Sequence, residues 1–414
     1  EVSLDGEKIN KQDPTWRKNQ KELTDKDYIE FYKYLYPFQG DPLLWIHLYT
    51  DFPYNLQGIL YFPKITGRAD WEQGEIKLYC NQVFVSDSIK EIVPKFLLPL
   101  RGIIDSPDIP LNVSRSALQT DRRVRSIGNF ISKKVADRLK TIKNENSEFY
   151  TEIWDSISPF IKIGAMEDDK FADMVKNLVL FKTKLEINTD DNTSKDIYTS
   201  GDKTYTTIEG YLARTKEEEN KILYCTDEIS QSSALKLWLN QGSEVLITEA
   251  VIDTQFLPWL ESRDEKLKFQ RVDSELDEQL KDDDTELTDK EGETDSERLR
   301  NIIKEGINDN KVTINVKALK GESTPPSLIL LPEQMRRMND IGALMEQRLP
   351  GLPDNHVLII NKNHPIVQGL LKISSSSIIT NSDGSSSNAL IINEISKYLY
   401  DIAKLAVGGL ESNE

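Results

Sequence analysis

Apolar positions run along this chain in two rhythms, and the alternation between them outlines its elements. In "ELTDKDYIEFYKYLY", Tyr28, Phe31, Tyr32 and Leu35 fall on one face of a helix, with Thr24 placed to cap it and Asp27 at the capping-box position. Runs rich in β-branched and aromatic residues follow: "GILYFP" at 58–63, "IKLYC" at 76–80 and "VFVSD" at 83–87, each reading as a strand. After "IPLNVSR" the three- and four-residue spacing returns in Ile127, Ile131, Val135, Leu139 and Ile142, predicting a long helix. Helical text over 146–176 opens a second cycle, in which "SEVLITEA" at 243–250 reads as a buried strand. "KVTINVKAL" at 311–319 and "HVLIIN" at 356–361 read as strands of a smaller α+β unit. A final helix over 388–405 carries Ile392, Ile395, Leu399, Ile402 and Ala406 in 3-4-3-4 spacing, a seam of heptad type. Strands alternating with helices predict layered α/β architecture, and no internal repeat interrupts it.

A length of 414 residues predicts two to four domains, and 38% hydrophobic residues suffice for real cores. The net charge of -17 excludes a general nucleic-acid binder, which needs a basic face, and disfavours an anionic membrane surface. The acidity is uneven: 273–297 holds 13 acidic and 2 basic residues, so it reads as a solvated linker or helix. "SSSS" at 374–377 and "NSDGSSS" at 381–387 form a Ser-rich loop. Cys80 and Cys225 form no CxxC pair and read as two buried thiols. His47, His356 and His364 are too scattered for a metal cluster, so no metal site is expected. No apolar run reaches the roughly 18 residues of a membrane-spanning helix. "EVSLDGEKIN" is neither a signal peptide nor a Met start, and the N-terminus reads as a cut.

Four features carry candidate chemistry. In "IPLNVSRSALQ", Arg115 lies between an apolar turn and a helix start; an arginine there is either a surface ion-pair partner or a fork that meets phosphate or carboxylate. Gln119, four residues on, shares its helical face. Trp16, in "PTWRKN", either packs onto the helix that follows or stands as a partly exposed anchor. In "LILLPEQMRRMNDIGALM", Leu331, Met335 and Met338 form an apolar stripe beside Arg336 and Arg337 that is either core or a surface adaptable to many apolar partners. The last helix packs either within its own domain or against a second copy.

"GIIDSPDIPLNVSRSALQ" resembles the catalytic-loop signature in the middle domain of the ninety-kilodalton heat-shock chaperone family, the bacterial high-temperature protein G type included. "DPTWRKNQKELTDKDYIEFYKYL", "LYFP", "IKLYCNQVFVSD" and "IVPKFLLPLRGIIDS" are similar to the family's text in order and spacing. "YTTIEGYLARTKEEENKILYCTDE" and "EVLITEAVID" resemble its smaller α/β subdomain. The likeness spans most of 10–260 and is weaker beyond 300, where "EQMRRM" and "NKNHPIV" keep the order. It implies a middle domain of two α/β layered subdomains joined by helices, then a small α+β dimerisation domain. The corresponding boundaries are 1–125 for the large subdomain with the catalytic loop, 126–148 for a helical connector, 149–272 for the small subdomain, 273–297 for the acidic linker and 298–414 for the dimerisation domain.

The resemblance further implies that Arg115 reaches the terminal phosphate of ATP held on a separate N-terminal domain, assisted by Gln119, with Asn112 and Ser114 in the same loop. Ser116 stands where the family often has Glu. Trp16 and the Leu331, Met335 and Met338 stripe would contact non-native client proteins. Gln255 takes a place where the family often has Trp, with Phe256 and Trp259 as possible substitutes. Ile392, Ile395, Leu399, Ile402 and Ala406 would form the homodimer interface in a four-helix bundle. The expected protein is a dimeric ATP-dependent chaperone clamp, with ATP and Mg bound in the full-length protein and none by this chain alone. This chain alone is therefore expected to be no enzyme. The ending "GLESNE" lacks the acidic pentapeptide of cytosolic eukaryotic members, pointing to a cytoplasmic bacterial or an organellar member. The rival reading is a nucleotide-independent client-binding or dimerisation scaffold; a self-contained hydrolase lacks any Ser/His/Asp or paired-carboxylate signature.

Overall fold

The computed structural model describes residues 3–5, 7–8, 14–64, 75–87, 92–109, 122–185, 196–215, 221–229, 231–248, 251–274, 294–309, 311–319, 324–330, 356–375 and 387–406. They form two compact units, 1–180 with 198–202 and 181–197 with 203–414. The fold is mixed α/β and α+β, as the alternation of periods predicts.

In the first unit, helix α1 (Asp25–Leu35) begins at the expected box: the Asp27 carboxylate accepts from the Thr24 N–H at 2.7 Å and from its hydroxyl at 2.6 Å. Strands β1 (Leu44–Thr50), β2 (Leu56–Phe62), β3 (Ile76–Cys80), β4 (Val83–Ser86) and β5 (Arg101–Asp105) make one sheet in the order β1-β2-β5-β3-β4. β5 runs antiparallel to β2 and parallel to β3. Alternate residues serve opposite faces. Ile59, Tyr61 and Ile103 pack with Tyr28, Phe31, Tyr32 and Tyr36 of α1 and its C-terminal cap. From the other face, Phe62 meets Phe160 edge-on at 5.4 Å on helix α3 (Ser147–Glu167). Helix α2 (Arg122–Glu145) buries all five of the positions picked out by their spacing, and helix α4 (Asp169–Val175) follows α3. Gly102 is required by its backbone: φ is +136° and a Cβ would lie 2.1 Å from the Ile59 carbonyl oxygen.

In the second unit, strands β6 (Phe181–Lys184), β7 (Lys203–Thr206), β8 (Lys221–Cys225), β9 (Val245–Ile247) and β10 (Lys268–Arg271) are neighbours in the order β10-β8-β9-β6-β7. Helices α5 (Ile208–Arg214), α6 (Ser232–Leu239) and α7 (Asp253–Arg263) connect them. β8 is parallel to both β9 and β10, the β-α-β arrangement that buries a strand on both faces. Helix α8 (Asp295–Ile307), capped by Thr294 and Glu297, starts inside the acidic stretch. Strands β11 (Thr313–Lys317), β12 (Ser327–Leu330) and β13 (Val357–Asn361) form a second sheet ordered β11-β13-β12, flanked by α9 (Pro365–Ser375) and α10 (Ser387–Ala406). One face of this sheet, including Leu328, Leu330 and Ile359, joins the core built on Leu223, Cys225 and Trp238. The other, with Leu358 and Ile360, packs on Leu299 and Ile303 of α8 and on Leu399 and Ala403 of α10. No helix among the described residues is long and apolar enough to cross a membrane.

Candidate functional site

Asn112, Ser114, Arg115, Ser116 and Gln119 lie outside the described residues, as do Leu331, Met335, Met338 and most of the acidic stretch. What the structure defines is the frame on either side of 110–121. Every residue of β5 is buried, and so are Ser106 and Ile109 just beyond it. Asp105 ends the strand with both carboxylate oxygens engaged: the Trp16 indole N–H donates to Oδ2 at 3.3 Å and the Gln82 N–H to Oδ1 at 3.2 Å. Ser106 donates its N–H to the Tyr79 carbonyl at 3.1 Å and its hydroxyl to the Asn55 carbonyl at 2.6 Å. A buried polar group needs such partners, so these bonds fix where the chain leaves the sheet.

Trp16 thus sits where β5 leads into the segment that carries Arg115. It is half-buried, 5.8 Å from the Phe31 ring and 5.3 Å from the Tyr79 ring. Its backbone hydrogen-bonds His47, whose ring nitrogen also meets the Tyr28 hydroxyl at 2.9 Å. Burial holds the His47 imidazole below its usual value, outweighing that backbone bond. Above the same sheet, the buried Arg101 guanidinium lies 5.7 Å from the Tyr36 ring centroid and donates to the Tyr32 hydroxyl at 3.4 Å. Periodicity assigned none of Asp105, Ser106 or Arg101 a role, because polar residues that end a strand carry no period. The only sequence signal was the quoted block itself.

On the last helix, the structure divides the seam. Leu399 is buried within its own unit, and Ile392 and Ile395 pack against the same core. Ile402 and Ala406 are half-buried. The exposed large apolar side chains of this helix are Leu390, Ile391, Tyr398 and Leu405, the last three a seven-residue repeat one position before Ile392, Leu399 and Ala406. Gln255 is exposed and Phe256 buried, stacked 5.3 Å from the half-buried Trp259. Cys225 is buried and Cys80 half-buried, and both are free thiols. Burial pushes the Cys225 thiol up to about 12, so it carries no thiolate reactivity at neutral pH. No cluster of three or more His, Cys, Asp or Glu among the described residues could hold a metal ion.

The profile of the family described as Hsp90 protein matches residues 1–411. A chaperone protein HtpG from Porphyromonas gingivalis is 38% identical over 374 residues, covering 88% of this chain and 52% of the relative. A chaperone protein htpG from Bacteroides fragilis is 37% identical over 375 residues with the same coverage, and one from Escherichia coli O139:H28 is 28% identical over 382 residues, covering 89% of this chain and 58% of the relative. The chain spans about half the length of the curated relatives it matches.

Proposed function

Because the chain belongs to the Hsp90 protein family, we propose that it forms the middle and C-terminal part of a dimeric, ATP-dependent chaperone that clamps non-native client proteins. The observation that carries this reading is the hydrogen-bonded frame of Trp16, Asp105 and Ser106, which anchors the start of the segment bearing Arg115. The nucleotide, bound with Mg2+ on an N-terminal domain, would supply the phosphoryl group transferred to water. The donor set suits that partner: a guanidinium, an amide and a hydroxyl match phosphate oxygens, while no described acidic cluster competes for the metal. Arg115 stabilises charge on the terminal phosphate, Gln119 assists, and Asn112 and Ser114 shape the loop; none of them moves a proton. This chain alone turns over no ATP. Clients bind through Trp16 and the Leu331, Met335 and Met338 stripe, the homodimer forms through α10, and the protein works in the cytoplasm without nucleic acid or membrane.

The test is Arg115→Ala in the full-length protein. Turnover is expected to fall by about a hundredfold or more, the scale of losing a preorganised charge-stabilising donor, with nucleotide binding retained. Wild-type turnover would remove the catalytic role and leave Arg115 a structural ion-pair partner.

A further inference from the structure

In the second unit, the carboxyl ends of the parallel strands β8 and β9 open onto a small cavity of about 20 Å³, walled on one side by the first turns of α7. Ligands of open α/β sheets generally lie at this end of the strands. The volume has room for one water-sized group. Its polar lining is shaped by bonds to the backbone around it. The Thr254 hydroxyl donates to the Val251 carbonyl at 2.8 Å, and the Thr248 hydroxyl to the Cys225 carbonyl at 3.3 Å. With both protons committed, each oxygen is left with lone pairs to offer. The Thr226 hydroxyl, held by the Gln231 amide at 2.8 Å, joins them. Asp253, 4% exposed, brings a carboxylate to the same wall. Pro258 adds an acceptor as well: it has no N–H with which to bond the Thr254 carbonyl one turn before it. No cation is among the described residues that line the cavity.

We propose that this cavity is a binding site for an alkylammonium group. Three N–H donors on a compact cation answer the threonine oxygens and the Asp253 carboxylate. The aliphatic stem has apolar neighbours on its way to solvent: Leu257 lines the cavity, and Ile229 and Val251 stand exposed on the two loops that follow β8 and β9. An anion would meet Asp253, and a planar guanidinium is too large for one water-sized space. The net charge of -17 draws cations to the surface. A free primary amine and the lysine side chain of a bound polypeptide present the same chemistry. The inference stands apart from the ATPase reading and needs neither nucleotide nor Arg115.

The test is a titration of this chain, labelled at threonine and leucine methyls, with n-butylammonium followed by NMR. The methyls of Thr226, Thr248, Thr254 and Leu257 are expected to shift and saturate in the millimolar range of a small fragment, with Leu399 unmoved. The neutral isostere n-butanol is expected to bind at least about tenfold more weakly, the scale of losing a hydrogen bond made by a charged group. Thr248→Val keeps the side-chain shape, removes one acceptor and is expected to weaken n-butylammonium by about tenfold. Asp253→Asn is expected to do the same or more, and the Thr248 variant keeps the test open should the start of α7 not tolerate that change. A second arm replaces the amine with acetyl-Gly-Lys-Gly-amide: matching shifts identify a lysine side chain as a ligand, and shifts with the free amine alone identify a small amine. Either supports the site. It is overturned if n-butylammonium moves none of these methyls, if n-butanol binds as well, or if Thr248→Val binds n-butylammonium like the wild type.

Discussion

Two leucines six residues apart on α10 should respond in opposite ways to substitution. Leu399 has 0% of its surface exposed and packs into its own unit, whereas Leu405 is 62% exposed, Tyr398 57% and Ile391 46%. Burying a whole leucine-sized side chain stabilises by roughly 2 kcal/mol, so the exposed part of Leu405 would contribute about 1 kcal/mol to an interface. The homodimer proposed above, if twofold-symmetric, uses each position twice. Leu405→Ser should therefore weaken association by about 2 kcal/mol, which is about thirtyfold in the dimer Kd, with little loss of unfolding free energy. Leu399→Ala should cost about 2–5 kcal/mol of stability through the cavity it leaves, without a matching change in Kd. Sedimentation equilibrium over a concentration series gives Kd, and urea unfolding gives stability. The reasoning is refuted if Leu399→Ala dissociates the dimer at full stability while Leu405→Ser leaves Kd where it was.

The buried pair Arg214–Glu244 gives a second prediction. Glu244 accepts from Arg214 Nε and Nη2, each at 2.9 Å, and from the Thr183 hydroxyl at 2.9 Å, with 5% of its side chain exposed. Glu244→Gln strands a buried guanidinium and should cost about 3–5 kcal/mol in chemical denaturation, most of it recovered when Arg214→Met accompanies Glu244→Leu; a single-variant cost below about 1 kcal/mol would show the pair to be solvent-screened. The third prediction concerns His47, whose folded pKa is depressed by burial. The unfolded chain then binds the proton more readily, so the stability that neutral His47 contributes is complete above its unfolded value near 6.5 and declines as pH falls below it. His47→Gln should flatten the slope of unfolding free energy against pH below about 6.5; an unaltered slope would place that acid sensitivity elsewhere.

Local signals were strong where a single element is enough to specify itself. Thr24 and Asp27 announced the start of α1, and the spacing of Ile127 to Ile142 announced α2, because capping and amphipathic burial act within a few residues. β5 passed without a distinct signal: "RGIID" is buried along its whole length, and a fully buried strand has no alternation to read. The frame around Arg115 was legible only as a quoted block resembling a family. Its hydrogen bonds join residues up to 89 positions apart, such as Asn55 to Asp108 and Trp16 to Asp105, and no period in the text reports such pairs.

The sequence alone determined the alternation of helices with strands, the acidic excess concentrated in 273–297 and the family resemblance later borne out by the profile match over residues 1–411. It also located an apolar seam on the last helix. Only the tertiary structure decided which way that seam faces. A helix with apolar residues at both 392–395–399 and 391–398–405 is compatible with two burial directions, and the choice follows from where the sheet of β11, β12 and β13 offers Leu358 and Ile360 as neighbours. The same holds for Asn55, which no pattern in the sequence singled out. Strand pairing of β2 with β5 is what carries it beside Asp108.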